Sequence, residues 1–430
     1  TPQLLPAIIS ITLSKGSQRM AKNGVIVRRL ESIENFGSMD VLCTDKTGTL
    51  TVGVVNLDQC LDIHGTASET VFRYAYVNAH FETGLANPLD EAIITHGQPD
   101  LSDLTKVDEV PYDFVRKCLS IVVNQANGTP LMVTKGALSK IIGVCSHVLD
   151  EEAVLPLDAP QQQQIQQRFA EWSEQGFRVL GVAIREMPIQ ADYSRDDEHD
   201  MTFVGFLLFF DPPKPYVQET IADLSRLGVQ LKIITGDNKL VALHTAKAVG
   251  LSVTGVLTGG EIAQMSDEAC WHAAEHANLF VEVDPNQKEH IILAQKKLGH
   301  VVGYMGDGIN DAPALHAADV GISVDTAVDV AKEAADFVLL KQDLSVLHQG
   351  IILGRTTFAN TLKYVFTTVS ANFGNMFSMA GASLFLPFLP MLPLQILLTN
   401  FLTDFPSMNI AGDSVDQELI DKPRRWDITF

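Results

Sequence analysis

Four short stretches of this chain carry residues whose types and spacing could do chemistry. In Cys43–Thr51, CTDKTGTLT, an aspartate closes a short apolar run and enters a glycine-containing loop. That arrangement sets the Asp45 carboxylate among backbone N–H groups able to hold phosphate oxygens. Carboxylates form acyl phosphates, so Asp45 can attack phosphorus as a nucleophile. Carboxylate and phosphate are both anionic, and such a site must supply positive charge. Asp307 and Asp311 in MGDGINDAPA are two acids on a strand-to-helix turn, suited to oxygen coordination of Mg²⁺. Lys288 in DPNQKEHI can place an ammonium on a transferred phosphoryl group, and Thr235 and Gly236 in ITGDN offer a hydroxyl and an N–H to its other oxygens. Each piece alone is an ordinary surface turn. Their order along one chain points to phosphoryl transfer. A P-loop is excluded, because no GxxxxGK followed by Ser or Thr occurs.

These residues need elements to hold them. Asp40–Cys43, Phe203–Phe210, Leu231–Ile234 and His300–Tyr304 are apolar runs that stop at Asp, Gly or Thr loops and feed helical patterns. They predict an α/β fold, a doubly wound parallel sheet with its ligands at the carboxyl ends of the strands. Residues 54–202 read differently, as an inserted α+β domain with strands at Leu131–Thr134 and Phe177–Ile184. Within it Ala159–Gln175 is a predicted helix with Ile165, Phe169 and Trp172 on one face, closed by Gly176, and the Gln161–Gln164 run reads as its polar face. Ala191–Asp200, ADYSRDDEHD, reads as a solvated loop.

Composition narrows the function further. With 430 residues there is room for two to three domains. The 52 acidic against 31 basic residues give a net charge of −21, which disfavours a nucleic-acid partner. Five cysteines without CxxC spacing argue against a disulfide framework or a structural zinc and fit a reducing cytosolic face. A charge-free run, TPQLLPAIISITL at 1–13, is too short to cross a bilayer alone and is followed at once by basic residues. Near the other end, Tyr364–Leu386 and Met391–Ile410 are each about 20 residues long, the length of a membrane span. Joined by a Pro387, Pro390, Pro393 connection and flanked by basic residues, they predict a membrane hairpin with both ends in the cytoplasm.

The motifs resemble those of the P-type ATPases, within the haloacid-dehalogenase-like phosphotransferases: DKTGTLT at Asp45–Thr51, KGA at Lys135–Ala137, TGDN at Thr235–Asn238 and MGDGINDAPAL at Met305–Leu315. The resemblance covers essentially the whole chain. It implies the end of a fourth transmembrane helix (1–13), a phosphorylation domain (14–53 and 203–345), an inserted nucleotide-binding domain (54–202), fifth and sixth transmembrane helices (346–411) and a cytoplasmic tail (412–430). It implies that Asp45 takes the γ-phosphoryl of ATP, and that Asp45, the Thr47 backbone carbonyl and Asp307 hold Mg²⁺. Thr235, Lys288 and Asn310 would contact the phosphoryl group and Asp311 would organise its loop, with Lys46, Gly236 and Asp237 completing the motifs. For ATP the resemblance implies Lys135, Gly136, Tyr112, Phe114, Lys117, Arg178 and Asp90. Soluble relatives carry a second Asp two positions after the nucleophile, where this chain has Thr47. Without that acid/base an aspartyl phosphate lacks its local hydrolytic catalyst, which favours a pump over a phosphatase. The family's actuator domain has no match, so the chain is expected to be a partial pump.

Polar residues inside an apolar span default to function. Asn372, Asn375, Asn400, Thr403 and Asp404 are therefore candidates for the transported ion, with Gln3, which stands where related cation pumps carry Glu. A site with one clear carboxylate speaks against dehydrated Ca²⁺ and suits Mg²⁺, which keeps its waters. ENFGSMDVLCTDKTGTLT, NFGNMFS and FLPFLPMLPLQ look like the bacterial magnesium-transporting P-type ATPases. The expected setting is the plasma membrane, with ATP, a divalent cation and the lipid bilayer as partners. The rivals are a pump for Ca²⁺ and a soluble phosphatase.

Overall fold

A computed structural model of the chain describes residues 5–84, 87–113, 116–388 and 390–423. The architecture is mixed α/β, built on two multi-stranded sheets. The chain divides into one unit of Thr1–Thr49, Pro215–Ile234 and Thr254–Phe430, and another of Leu50–Lys214 and Thr235–Val253.

In the first unit the sheet runs in the order Val25–Val27, Phe337–Leu339, Val320–Val324, Val302–Met305, Val41–Asp45, Gln230–Ile234, Leu279–Val281, Val256–Thr258. Only the Val25–Val27 pairing is antiparallel. Val41–Asp45 lies in the middle, between strands that come later in the sequence. Its Val41, Leu42 and Cys43 are fully buried, as expected of a parallel strand covered on both faces. Register pairs Thr44 with Met305, so the 46–50 and 306–311 turns leave the sheet along the same edge.

The second unit orders its strands Thr105–Val110, Cys118–Asn124, Pro130–Ala137, Arg178–Glu186, Met201–Phe210, Cys145–Asp150, Ala153–Pro156, with Asn56–Leu61 also on Met201–Phe210. One apolar cluster, including Tyr76, Ile93 and Val133, packs the helices Glu69–Phe81 and Pro88–His96 against this sheet. A second cluster gathers Ile141, Ile165 and Phe206. The helix Ala159–Glu174 begins at a capping box between Asp158 and Gln161, so the first glutamine of the run caps rather than merely solvates.

Three expectations are corrected. Phe203–Phe210 does not join the parallel sheet: it pairs antiparallel with Arg178–Glu186 and Asn56–Leu61, where its phenylalanines complete the second unit's core. Residues 191–200 are not uniformly solvated, since Tyr193 and Glu198 are buried. Among the described residues no helix is long and apolar enough to cross a membrane. Of the expected span Tyr364–Leu386, residues 364–383 form the far half of one helix, Leu344–Ser383, diluted by Thr367, Thr368, Ser370, Asn372 and Asn375. Met391–Ile410 shrinks to a 15-residue helix, Pro393–Ser407, which gives way to a 3₁₀ turn at Met408. Leu5–Lys22 is a helix whose second half carries Lys15, Arg19 and Lys22.

Candidate active site

Asp45 is the last residue of the central strand, and Lys288 reaches it from a separate helix. Asp284 caps that helix by accepting the N–H groups of Asn286 and Gln287, with Pro285 in its first turn, which fixes Lys288 one turn in. The Lys288 ammonium donates to Asp45 Oδ2 at 2.6 Å and to Asp311 Oδ1 at 2.8 Å. Burial pulls the ammonium's pKa down, but the Asp45 and Asp311 charges outweigh it and hold it above its usual value. Burial likewise pushes the Asp311 carboxyl up, and there Lys288 with the Tyr304 and Gly308 hydrogen bonds prevails, holding it low.

Asp311 closes the 3₁₀ turn Ile309–Asp311 and is buried beneath its own loop. Its Oδ2 accepts the N–H groups of Asp307 and Gly308, and its Oδ1 accepts the Tyr304 hydroxyl at 2.6 Å. Asp307 is half-buried, and Gln342 Nε2 donates to its Oδ2 at 2.8 Å. Gly48, at φ +74°, lets these groups close in: a Cβ there would meet Gln342 Nε2 at 2.5 Å and Asp307 Oδ2 at 3.3 Å. Lys46 is buried, whereas Thr47 and Asn310 are exposed. Tyr304 and Gln342 were not legible as site residues. Tyr304 reads as a core aromatic in an apolar strand, and nothing in the spacing ties Gln342 to Asp307.

The remaining phosphoryl-motif and nucleotide candidates fall in the second unit. Thr235 is buried and accepts the Asp237 N–H, Gly236 is exposed, and Asn238 caps Lys239–Ala248. Asp237 pairs with Arg178 at 3.6 Å. Lys135 is buried on the strand Pro130–Ala137, hydrogen-bonded to Asp90 from the first turn of Pro88–His96, and burial pulls its ammonium below the ordinary lysine value. Gly136 beside it must lack a side chain, because a Cβ would sit 2.4 Å from the Lys117 carbonyl. Lys117 itself is left-handed, at φ +53°. That turn is tied down by Arg116, which donates to Asp113 and to the buried Glu198, an acid that the loop pattern at 191–200 concealed. Tyr112 is half exposed. Phe114 lies outside the described residues, as does Gln3.

Of the candidates for the transported ion, Asn372 Nδ2 donates to Thr368 O and Thr403 Oγ1 to Thr399 O, each to its own helix. Asn375 is exposed, Asn400 half-buried, and Asp404 buried beside Tyr364. Among the described residues no group of three or more His, Cys, Asp or Glu side chains is placed to hold a metal ion.

The family pattern for "P-type ATPase, cytoplasmic domain N" matches residues 60–216. Over 99% of its length the chain is 46% identical to magnesium-transporting ATPase, P-type 1, of Escherichia coli K12. The chain belongs to the P-type ATPases. It is 45% identical to the protein of the same name from Salmonella typhimurium LT2, and 31% identical to calcium-transporting ATPase 1 of Bacillus cereus over 98% of its length. P-type ATPases named for magnesium transport are thus nearer to it than this one named for calcium. The chain spans about half the length of the curated relatives it matches, 48% for the E. coli protein.

Proposed function

We propose that this chain is the ATP-binding and phosphoryl-accepting portion of a pump that moves Mg²⁺ across a membrane through an aspartyl phosphate on Asp45. The observation that carries the reading is the Lys288 ammonium 2.6 Å from Asp45 Oδ2, at the carboxyl end of the central parallel strand. An Asp45 oxygen attacks the γ-phosphorus of ATP, a new O–P bond forms, and the bond to the bridging oxygen breaks to release ADP. Lys288 offsets the negative charge gathered on the phosphoryl oxygens. Lys135, Gly136, Asp90, Tyr112, Phe114, Lys117 and Arg178 form the proposed ATP site, with Asp237 held by Arg178.

The donor set at the sheet edge fits Mg²⁺, which favours hard oxygen ligands. Asp45, the Thr47 carbonyl and Asp307 would hold it, with Asp307 already turned by Gln342. When bound, the ion neutralises phosphate charge. Asp311 is reserved for a different task, since its oxygens are already occupied by four donors.

Magnesium as cargo is supported by the names of the relatives. A plasma-membrane setting is supported by the apolar flank of the helices Leu344–Ser383 and Pro393–Ser407, where Phe373, Phe377, Leu394 and Leu402 are exposed, and by exposed Phe385 just after the first. The test is acid-stable ³²P incorporation from [γ-³²P]ATP with Mg²⁺, expected for the native chain and lost in Asp45→Asn. Label that persists in Asp45→Asn removes the nucleophile assignment. In the whole protein, transport driven by Ca²⁺ but not Mg²⁺ removes the cargo assignment.

A further inference from the structure

Asp311 offers about four lone-pair positions, and all four are taken. Oδ2 holds the backbone N–H groups of Asp307 at 3.1 Å and Gly308 at 3.0 Å. Oδ1 is shared between the Lys288 ammonium at 2.8 Å and the Tyr304 hydroxyl at 2.6 Å. Tyr304 is completely buried. Its ring fills the core as any aromatic would, but its hydroxyl bonds directly to the carboxylate that competes with Asp45 for Lys288.

We infer that Tyr304 is a positioning residue for phosphoryl transfer to Asp45: its hydroxyl occupies Asp311 Oδ1 and so keeps the Lys288 ammonium shared with Asp45 instead of captured by Asp311. The inference rests on the reading of Asp45 as phosphoryl acceptor and adds a residue to it.

The physical argument is a competition for one cation. A hydrogen bond to a carboxylate oxygen draws electron density toward the donor and weakens that oxygen's hold on a second donor. Removing the hydroxyl leaves Oδ1 with Lys288 alone, in a place where no solvent reaches Tyr304 to replace the lost donor. Lys288 then moves toward Asp311 and away from the oxygen of Asp45. The backbone bonds to Oδ2 persist, so the loop stays folded while the ammonium is misplaced. A hydroxyl that served only to satisfy its own burial would change stability without changing the chemical step.

Tyr304→Phe deletes the hydroxyl and keeps the ring. With [γ-³²P]ATP and Mg²⁺, its single-turnover rate of acid-stable labelling should fall roughly five- to tenfold, part of the value of a hydrogen bond to a charged group. The ATP concentration at half-maximal rate should stay within about twofold, since the loss falls on the chemical step and not on uniform binding. Acetyl phosphate, which lacks a nucleoside, should show the same fold-loss. Affinity for beryllium fluoride, a mimic of the phosphoryl group on Asp45, should fall in parallel and gives a readout apart from turnover. Tyr304→Met, which also lacks the hydroxyl but packs differently, should match the rate loss of Tyr304→Phe even where its melting temperature differs. Native rates in both variants overturn the inference, as does a loss confined to the half-saturating ATP concentration or one that tracks melting temperature. If the native chain takes up no label at all, the reading of Asp45 fails, and the role of Tyr304 fails with it.

Discussion

At the scale of residues, the site is a negotiation among three carboxylates and one buried ammonium. The Lys288 pKa is raised, so its contribution to stability is complete below the unfolded value of about 10.4 and is lost as pH climbs through the folded value. The Asp311 pKa is lowered, so its contribution is complete above about 3.9 and is lost as pH falls through the folded value. The native chain should therefore show a plateau in urea midpoint between these limits. Lys288→Met should flatten the alkaline limb, and an unchanged alkaline limb in that variant would count against the ion network. Gly48 belongs to the same scale. Gly48→Ala forces a left-handed alanine, costing about 1–2 kcal/mol, and drives a methyl group against Gln342. Labelling of Asp45 should drop more steeply than stability, because the displaced Gln342 is what turns Asp307. Equal losses in both would show that Gly48 serves the fold alone.

At the scale of elements, the sequence was most legible where local signals and burial agree. The apolar run Asp40–Cys43 read as a strand and overlaps the strand Val41–Asp45, whereas the helix that carries Lys288 was not read, though Asp284, Pro285 and Gln287 cap its start. Met201–Phe210 misled because an unbroken apolar run does not reveal whether its partners run parallel or antiparallel. The segment 191–200 misled for another reason: five acids in a row of polar residues look solvated, yet Glu198 folds inward to Arg116 and Ser120. Glu198→Ala should destabilise the chain by about 1–3 kcal/mol, because it removes the buried acceptor of Arg116 and Ser120 and leaves the guanidinium Asp113 as its remaining carboxylate. It should also raise the ATP concentration needed for half-maximal labelling, since Arg116 braces the strained Lys117 turn beside Gly136. Native stability in that variant would show that Arg116 finds another partner.

For the molecule as a whole, net charge and apolar surface pull in opposite directions. A charge of −21 keeps the chain dispersed, while Phe373 at 55%, Phe377 at 72% and Phe385 at 86% exposure present a face that water does not favour. The chain should co-sediment with phosphatidylcholine vesicles, and Phe373→Ser with Phe377→Ser should reduce the bound fraction severalfold. Binding unaffected by both changes would place the lipid contact elsewhere. Length and the absence of charge read as two spans here, whereas Thr, Ser and Asn interrupt the run and among the described residues no helix is long and apolar enough to cross a membrane.

The sequence by itself determined the reacting groups: an aspartate at the end of an apolar strand, the lysine of DPNQKEHI, and two acids on a glycine-rich turn. Residue type and local spacing suffice for these, since each depends on the chemistry of a side chain and the few residues beside it. Only the tertiary structure decided that Tyr304 shares Asp311 with Lys288, that Gln342 holds Asp307, and that Glu198 is buried. Those contacts join positions far apart in the chain or hide a polar group inside an apolar pattern. Their reason is the need of buried donors and acceptors for partners, a requirement that can be read only once the chain has folded around them.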